Sequence, residues 1–146
     1  MASPITTGEP AFRSPTAIAL DRGRNRLIAL CQLRLSDHEF SVGYYYFRRG
    51  KGFEQSAELR LKRVLNNYEG QYDELKTFFY LAETLWRREK YAEAMFYYNK
   101  LNGDFPASEY QPFVIDKIAR FAKIELEGSD PGELGNEIEA DPIKEN

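Results

Sequence analysis

The chain has 146 residues, 42% apolar and 14% aromatic, with a formal net charge of −3; this excludes a wholly disordered chain and allows one domain with a real core. The charge is uneven, because residues 128–146 hold Asp130, Glu133, Glu137, Glu139, Asp141 and Glu145 against Lys144, and the mildly basic remainder lacks the polycationic footprint of a nucleic-acid binder. The single cysteine, Cys31, excludes an internal disulfide, and no apolar run approaches the ~18 residues of a membrane span.

Residues 1–15, MASPITTGEPAFRSP, mix Pro, Gly, Ser and Thr without period and predict a flexible N-terminal segment, with neither the basic start nor the apolar stretch of a signal peptide. Over 16–127 the apolar residues recur at helical rather than alternating spacing: Ile18, Leu27, Leu30 and Cys31, then Leu61, Val64 and Leu65, then Val114, Ile118 and Ala122. Breaks at Gly50-Lys51-Gly52, Glu69-Gly70-Gln71, Glu89-Lys90, Gly103 to Pro106 and Gly128 divide this all-α domain into about five helices. Ser36 followed by Glu39 forms a capping-box pattern inside a continuous apolar period, so local chemistry allows either a helix start there or one long helix. The Gly/Pro-punctuated acidic segment 128–146 is expected to be disordered.

Residues 75–106 read Phe78-x2-Leu81-Ala82-x2-Leu85, then Ala94-x3-Tyr98, then Pro106, the spacing of a 34-residue tetratricopeptide repeat. Ala82 and Ala94 are small where two helices cross, and Phe78, Leu81, Leu85 and Tyr98 fill the space around the crossing. A looser copy lies upstream, with Val42-Gly43-x2-Tyr46 and Ala57-x3-Leu61, a longer turn at Gly50-Lys51-Gly52 and Glu69 in place of the closing proline. Hairpin repeats of this kind predict a short right-handed solenoid, with Gly43 at the close contact and Tyr46 in the core. Tyr44 and Phe47 then line the concave side, and Tyr45 packs toward a neighbouring helix.

The segments Cys31-x2-Arg34-Leu35, His38-Glu39-Phe40-x-Val42-Gly43, Tyr46-Phe47, Arg49-Gly50, Val64-Leu65-x2-Tyr68 and Phe105-Pro106-x-Ser108-Glu109-Tyr110 carry a further likeness. Over roughly residues 24–125 the chain resembles the C-terminal half of the BamD (YfiO/ComL) outer-membrane protein assembly lipoproteins, and His38 to Gly50 is the discriminating stretch. The resemblance implies a periplasmic, outer-membrane-associated scaffold that docks on the barrel-inserting assembly subunit. The family's N-terminal repeats and lipid-bearing cysteine have no counterpart in this sequence, so any membrane association runs through an absent anchor or a partner, and a cytoplasmic tetratricopeptide adaptor that binds a peptide or helix is the alternative. The resemblance also favours one long helix through Ser36.

One histidine, one cysteine and no Gly-rich phosphate loop give no catalytic motif, no cofactor site and no metal-ligand set. Glu54, Glu58, Glu83, Glu89 and Glu93 read as solvated helix faces beside Lys and Arg. The basic cluster Arg48, Arg49, Arg60, Lys62 and Arg63 lies near Tyr44 and Phe47, and Arg with aromatics is the composition of protein-interface hot spots. The expected function is therefore a non-enzymatic scaffold that binds an acidic or amphipathic protein segment, not nucleic acid, through Phe40, Tyr44, Phe47 and Arg48 with Phe79, Trp86 and Arg87. Because about three repeats are usually needed for stability, two and a half repeats also raise a homodimer as an expectation.

Overall fold

The computed structural model describes residues 14–128; the expected flexible segment up to residue 13 and the acidic segment from residue 129 lie outside them. The described residues form five helices, α1 (Pro15–Arg49), α2 (Glu54–Asn67), α3 (Glu74–Arg87), α4 (Tyr91–Asp104) and α5 (Gln111–Glu127), and no strand among them. The first helix begins one residue into the segment expected to be flexible, because the Ser14 side chain accepts from the Ala17 N–H (3.2 Å) and Pro15 occupies the first turn.

Helix α1 runs through Ser36 without a break. The capping box is not used: Ser36 is buried, and its hydroxyl reaches Leu33 O (3.0 Å) in its own helix and Gln71 O in the α2–α3 loop. The helix stops at Gly50, where φ is 71°, and Gly52 at 94° completes a turn that L side chains rarely enter. The α3–α4 turn is made instead by Glu89 at φ 59°, closed by Lys90 N–H donating to Leu85 O (3.0 Å).

Consecutive helices pack as hairpins, α1 on α2 and α3 on α4, with α2 against α3 and α4 against α5. Ring contacts of Tyr44 and Phe47 with Tyr80 join α1 to α3. Phe79 with Phe113 and Glu83 with Lys117 join α3 to α5, each pair 34 residues apart. These contacts run in step along the chain, so α1, α3 and α5 lie parallel in one layer, with α2 and α4 behind them. This adjacent-hairpin packing is a helical-repeat arrangement.

The crossing positions act as the spacing requires. A methyl on Gly43 would stand 3.0 Å from Cγ and Cδ2 of Leu61, which is fully buried, and Ala82 and Ala94 are fully buried too. Tyr46, by contrast, is only half-buried against Phe53, and the core aromatic of α1 is Phe47. Gly43, Ala57 and Leu61 keep the register of the downstream repeat, and only the core aromatic differs, at Phe47, which meets Tyr80 edge-on.

Gly43→Ala should destabilise the protein by about 1 kcal/mol and Gly43→Leu by about 3 kcal/mol in chemical denaturation. Gly23→Ala, where nothing lies within 4 Å, should have the opposite sign and stabilise by about 0.5–1 kcal/mol. Equal effects at both glycines would mean that α2 does not cross at Gly43.

Candidate interaction surface

The aromatic residues of α1 are held in order by α3. Phe40 stacks on Tyr44 (centroids 6.2 Å apart) and Tyr44 on Phe47 (6.4 Å), while Tyr80 meets all three edge-on, closest to Tyr44 at 4.8 Å. Tyr80 is itself buried and also touches Phe79 and Tyr110. It is the hub that a sequence reading centred on the tyrosine run of α1 does not find. The signal for it was its position one residue after Phe79 in the same apolar run.

Four of the seven expected site residues line the α1–α3 surface. Phe40 and Tyr44 are half-buried, and Arg48 is exposed with its guanidinium 5.9 Å from the Tyr44 ring. Arg87 extends from α3 over the Phe47 ring (3.9 Å) and donates to Phe47 O (3.0 Å), so it also latches the end of α1 to α3.

The other three lie elsewhere. Phe47 and Phe79 are buried and present no face to a partner: Phe47 lies beneath Arg87, and Phe79 stacks on Tyr110 at 4.1 Å. Trp86 is half-buried one step along α3, packed against Tyr91, Tyr98 and the Lys117 ammonium. The basic cluster also divides. Arg60 pairs with Glu39 (2.9 Å), Lys62 with Glu58 and Glu93, Arg49 lies over Phe53 and Arg63 is exposed on α2, which leaves Arg48 as the member on the α1–α3 surface.

Two carboxylates read as solvated are buried. Glu83 accepts from Tyr98 Oη (2.5 Å) and lies 3.7 Å from Lys117 Nζ, so α3, α4 and α5 meet at one acid. Burial, then the Glu83 charge, pushes the Tyr98 phenol well above its ordinary range, and burial pulls the Lys117 ammonium down. Glu58 accepts from Lys62 (2.6 Å), Lys90 (2.9 Å) and Arg88, which ties α2 to the α3–α4 turn. Burial alone would raise the Glu58 carboxyl; the three cations outweigh it and hold the group at about 2 instead of 4.5.

His38 and Cys31 are both exposed on α1, and no group of three or more His, Cys, Asp or Glu able to hold a metal ion occurs among the described residues. No described helix is long and apolar enough to cross a membrane. What this surface offers chemically is two half-buried aromatic rings and the exposed guanidinium fork of Arg48. Comparisons with family models, with curated proteins and with solved structures find no match to the chain.

Because the folded pKa of Glu58 lies below its unfolded value, its contribution is full above about pH 4.5 and is lost as pH falls toward 2. Glu58→Gln should therefore cost about 2 kcal/mol at neutral pH, the partner cations being partly solvated. In denaturation series from pH 6 to pH 2.5 the variant should lose correspondingly less stability than the parent. Parallel pH profiles would show that the three cations do not hold the carboxylate ionised.

Proposed function

We propose that this chain is a non-enzymatic tetratricopeptide-type scaffold that binds an acidic or amphipathic segment of a partner protein along the α1–α3 surface. The observation that carries the reading is the row Phe40–Tyr44–Arg48, one helical turn per step, two half-buried rings and an exposed guanidinium backed by Tyr80 and Arg87. Aromatic and Arg side chains on a preorganised backing are the composition of interface hot spots. A carboxylate on the partner suits Arg48, whose fork donates to both carboxylate oxygens.

Two further features support a repeat scaffold: the α3-to-α5 contacts at a separation of 34 residues and small residues at both helix crossings. The likeness of residues 24–125 to BamD-type lipoproteins makes the outer-membrane assembly machinery the context in which to seek the partner. The periplasmic domains of the barrel-inserting subunit are the first candidates.

The test is a titration of the chain with those periplasmic domains and with proteins captured from an envelope extract, repeated with Arg48→Glu and Tyr44→Ala. Arg48 is exposed, so Arg48→Glu should leave stability within about 0.5 kcal/mol while weakening binding by about 2 kcal/mol or more. Phe47→Ala should instead cost about 3–5 kcal/mol of stability. Binding unaffected by Arg48→Glu and Tyr44→Ala would place the interface elsewhere.

A further inference from the structure

The surface that carries Tyr44 and Arg48 extends beyond α1. Helical spacing puts Lys76, Tyr80, Glu83 and Arg87 in one row on α3, beside Tyr44 through the Tyr80 ring and beside Lys117 of α5 through Glu83. Arg120 follows Lys117 one turn along α5. The surface is therefore basic. Its carboxylates are Glu83, which pairs with Lys117 (3.7 Å), Asp116, which pairs with Arg120 (2.8 Å), and Asp37 on α1. Against them stand Arg48, Lys76 and Arg87 in addition to the two paired cations.

The chain leaves α5 at Gly128. Because α1, α3 and α5 are parallel, that is the end of the layer at which α1 and α3 place Arg48 and Arg87 in their last turns. The acidic segment follows, and Glu133-Leu134 and Glu137-Ile138-Glu139 set its carboxylates beside apolar side chains. From Gly128 to Glu137 the chain reaches up to ~30 Å. Two interhelix spacings, about 16–20 Å, separate α5 from α1, so Glu137 and Glu139 can meet Arg48 as well as Arg87.

We propose, resting on the partner-binding role given to Tyr44 and Arg48, that residues 129–146 occupy the α1–α3–α5 surface, so that the chain carries a ligand for its own binding site. The segment is acidic and amphipathic, the composition assigned above to a partner, and the surface has the opposite charge. A tethered ligand competes at an effective concentration on the order of millimolar, so a partner gains the surface only by displacing it. Contacts between partly solvated charges weaken as salt screens them, and displacement becomes easier as ionic strength rises.

Paramagnetic relaxation on the full chain tests the contact. Cys31 is exposed, so a nitroxide can be moved to Asn136→Cys in a Cys31→Ser background. It should broaden the amide signals of Tyr44–Arg48 and Tyr80–Arg87 and leave those of residues 17–26, at the far end of α1, sharp. Dilution into excess unlabelled chain should preserve the pattern, which marks the contact as intrachain. Glu133→Gln, Glu137→Gln and Glu139→Gln together should abolish the broadening, as should about 0.5 M NaCl. A fluorescent peptide of residues 129–146 should bind the triple variant at least about tenfold more tightly than the parent, and adding Arg48→Glu should undo most of that gain. Sharp signals at Tyr44–Arg48, broadening that survives the triple substitution, or equal peptide affinity for parent and triple variant would each overturn the proposal. The partner reading fails separately: broadening as expected, with partner binding indifferent to Arg48→Glu and Tyr44→Ala, keeps the segment on this surface and removes the partner from it.

Discussion

Nine consecutive residues of α3, Thr77 to Leu85, are buried, and the rest of the molecule is arranged to make that possible. A helix buried on one side only would alternate between covered and open faces every few residues. Here α1, α2, α4 and α5 all reach α3, so each direction around it is filled. Phe79, Leu81, Ala82 and Leu85 are fully buried, and each large side chain removed from water contributes roughly 1.5–3 kcal/mol.

Enclosing a helix so completely also encloses its polar groups. Thr84 turns its hydroxyl onto Tyr80 O (2.6 Å), and Glu83 is met by Tyr98 and Lys117 from two other helices. The Tyr98 bond is directional, so it fixes how α4 rotates about α3, which apolar packing alone leaves loose, and the Lys117 ion pair draws α5 to the same acid. Tyr80 does the same toward α1, holding Phe40, Tyr44 and Phe47 in one row. The surface proposed for partner binding is thus the outer edge of the α3 core, and its rigidity follows from that core.

Much of this was legible in the sequence for physical reasons. Gly43, Ala82 and Ala94 mark crossings because only small side chains fit there, and the Gly-containing breaks place the helix ends. Tyr46 and Phe47 are adjacent and differ by ~100° in direction, and spacing within α1 does not show that the Tyr80 ring of α3 lies on the Phe47 side. Phe79 was read as surface for a related reason: periodicity assigns one inward face, and α3 has no outward one over these residues. Glu58 and Glu83 were read as solvated because most of their partners, Arg88, Lys90, Tyr98 and Lys117, lie 15 to 34 residues away on other elements. Only the fold brings such charges together.

If α3 is the enclosed centre on which the other helices depend, its backbone must be the last to open. Native-state hydrogen exchange followed by mass spectrometry measures this directly, peptide by peptide. The account predicts that amides from Thr77 to Leu85 exchange slowest, only through global unfolding, and that those of α5, packed on one side, exchange through cheaper local opening. Exchange across Thr77–Leu85 as fast as in α5 would contradict it.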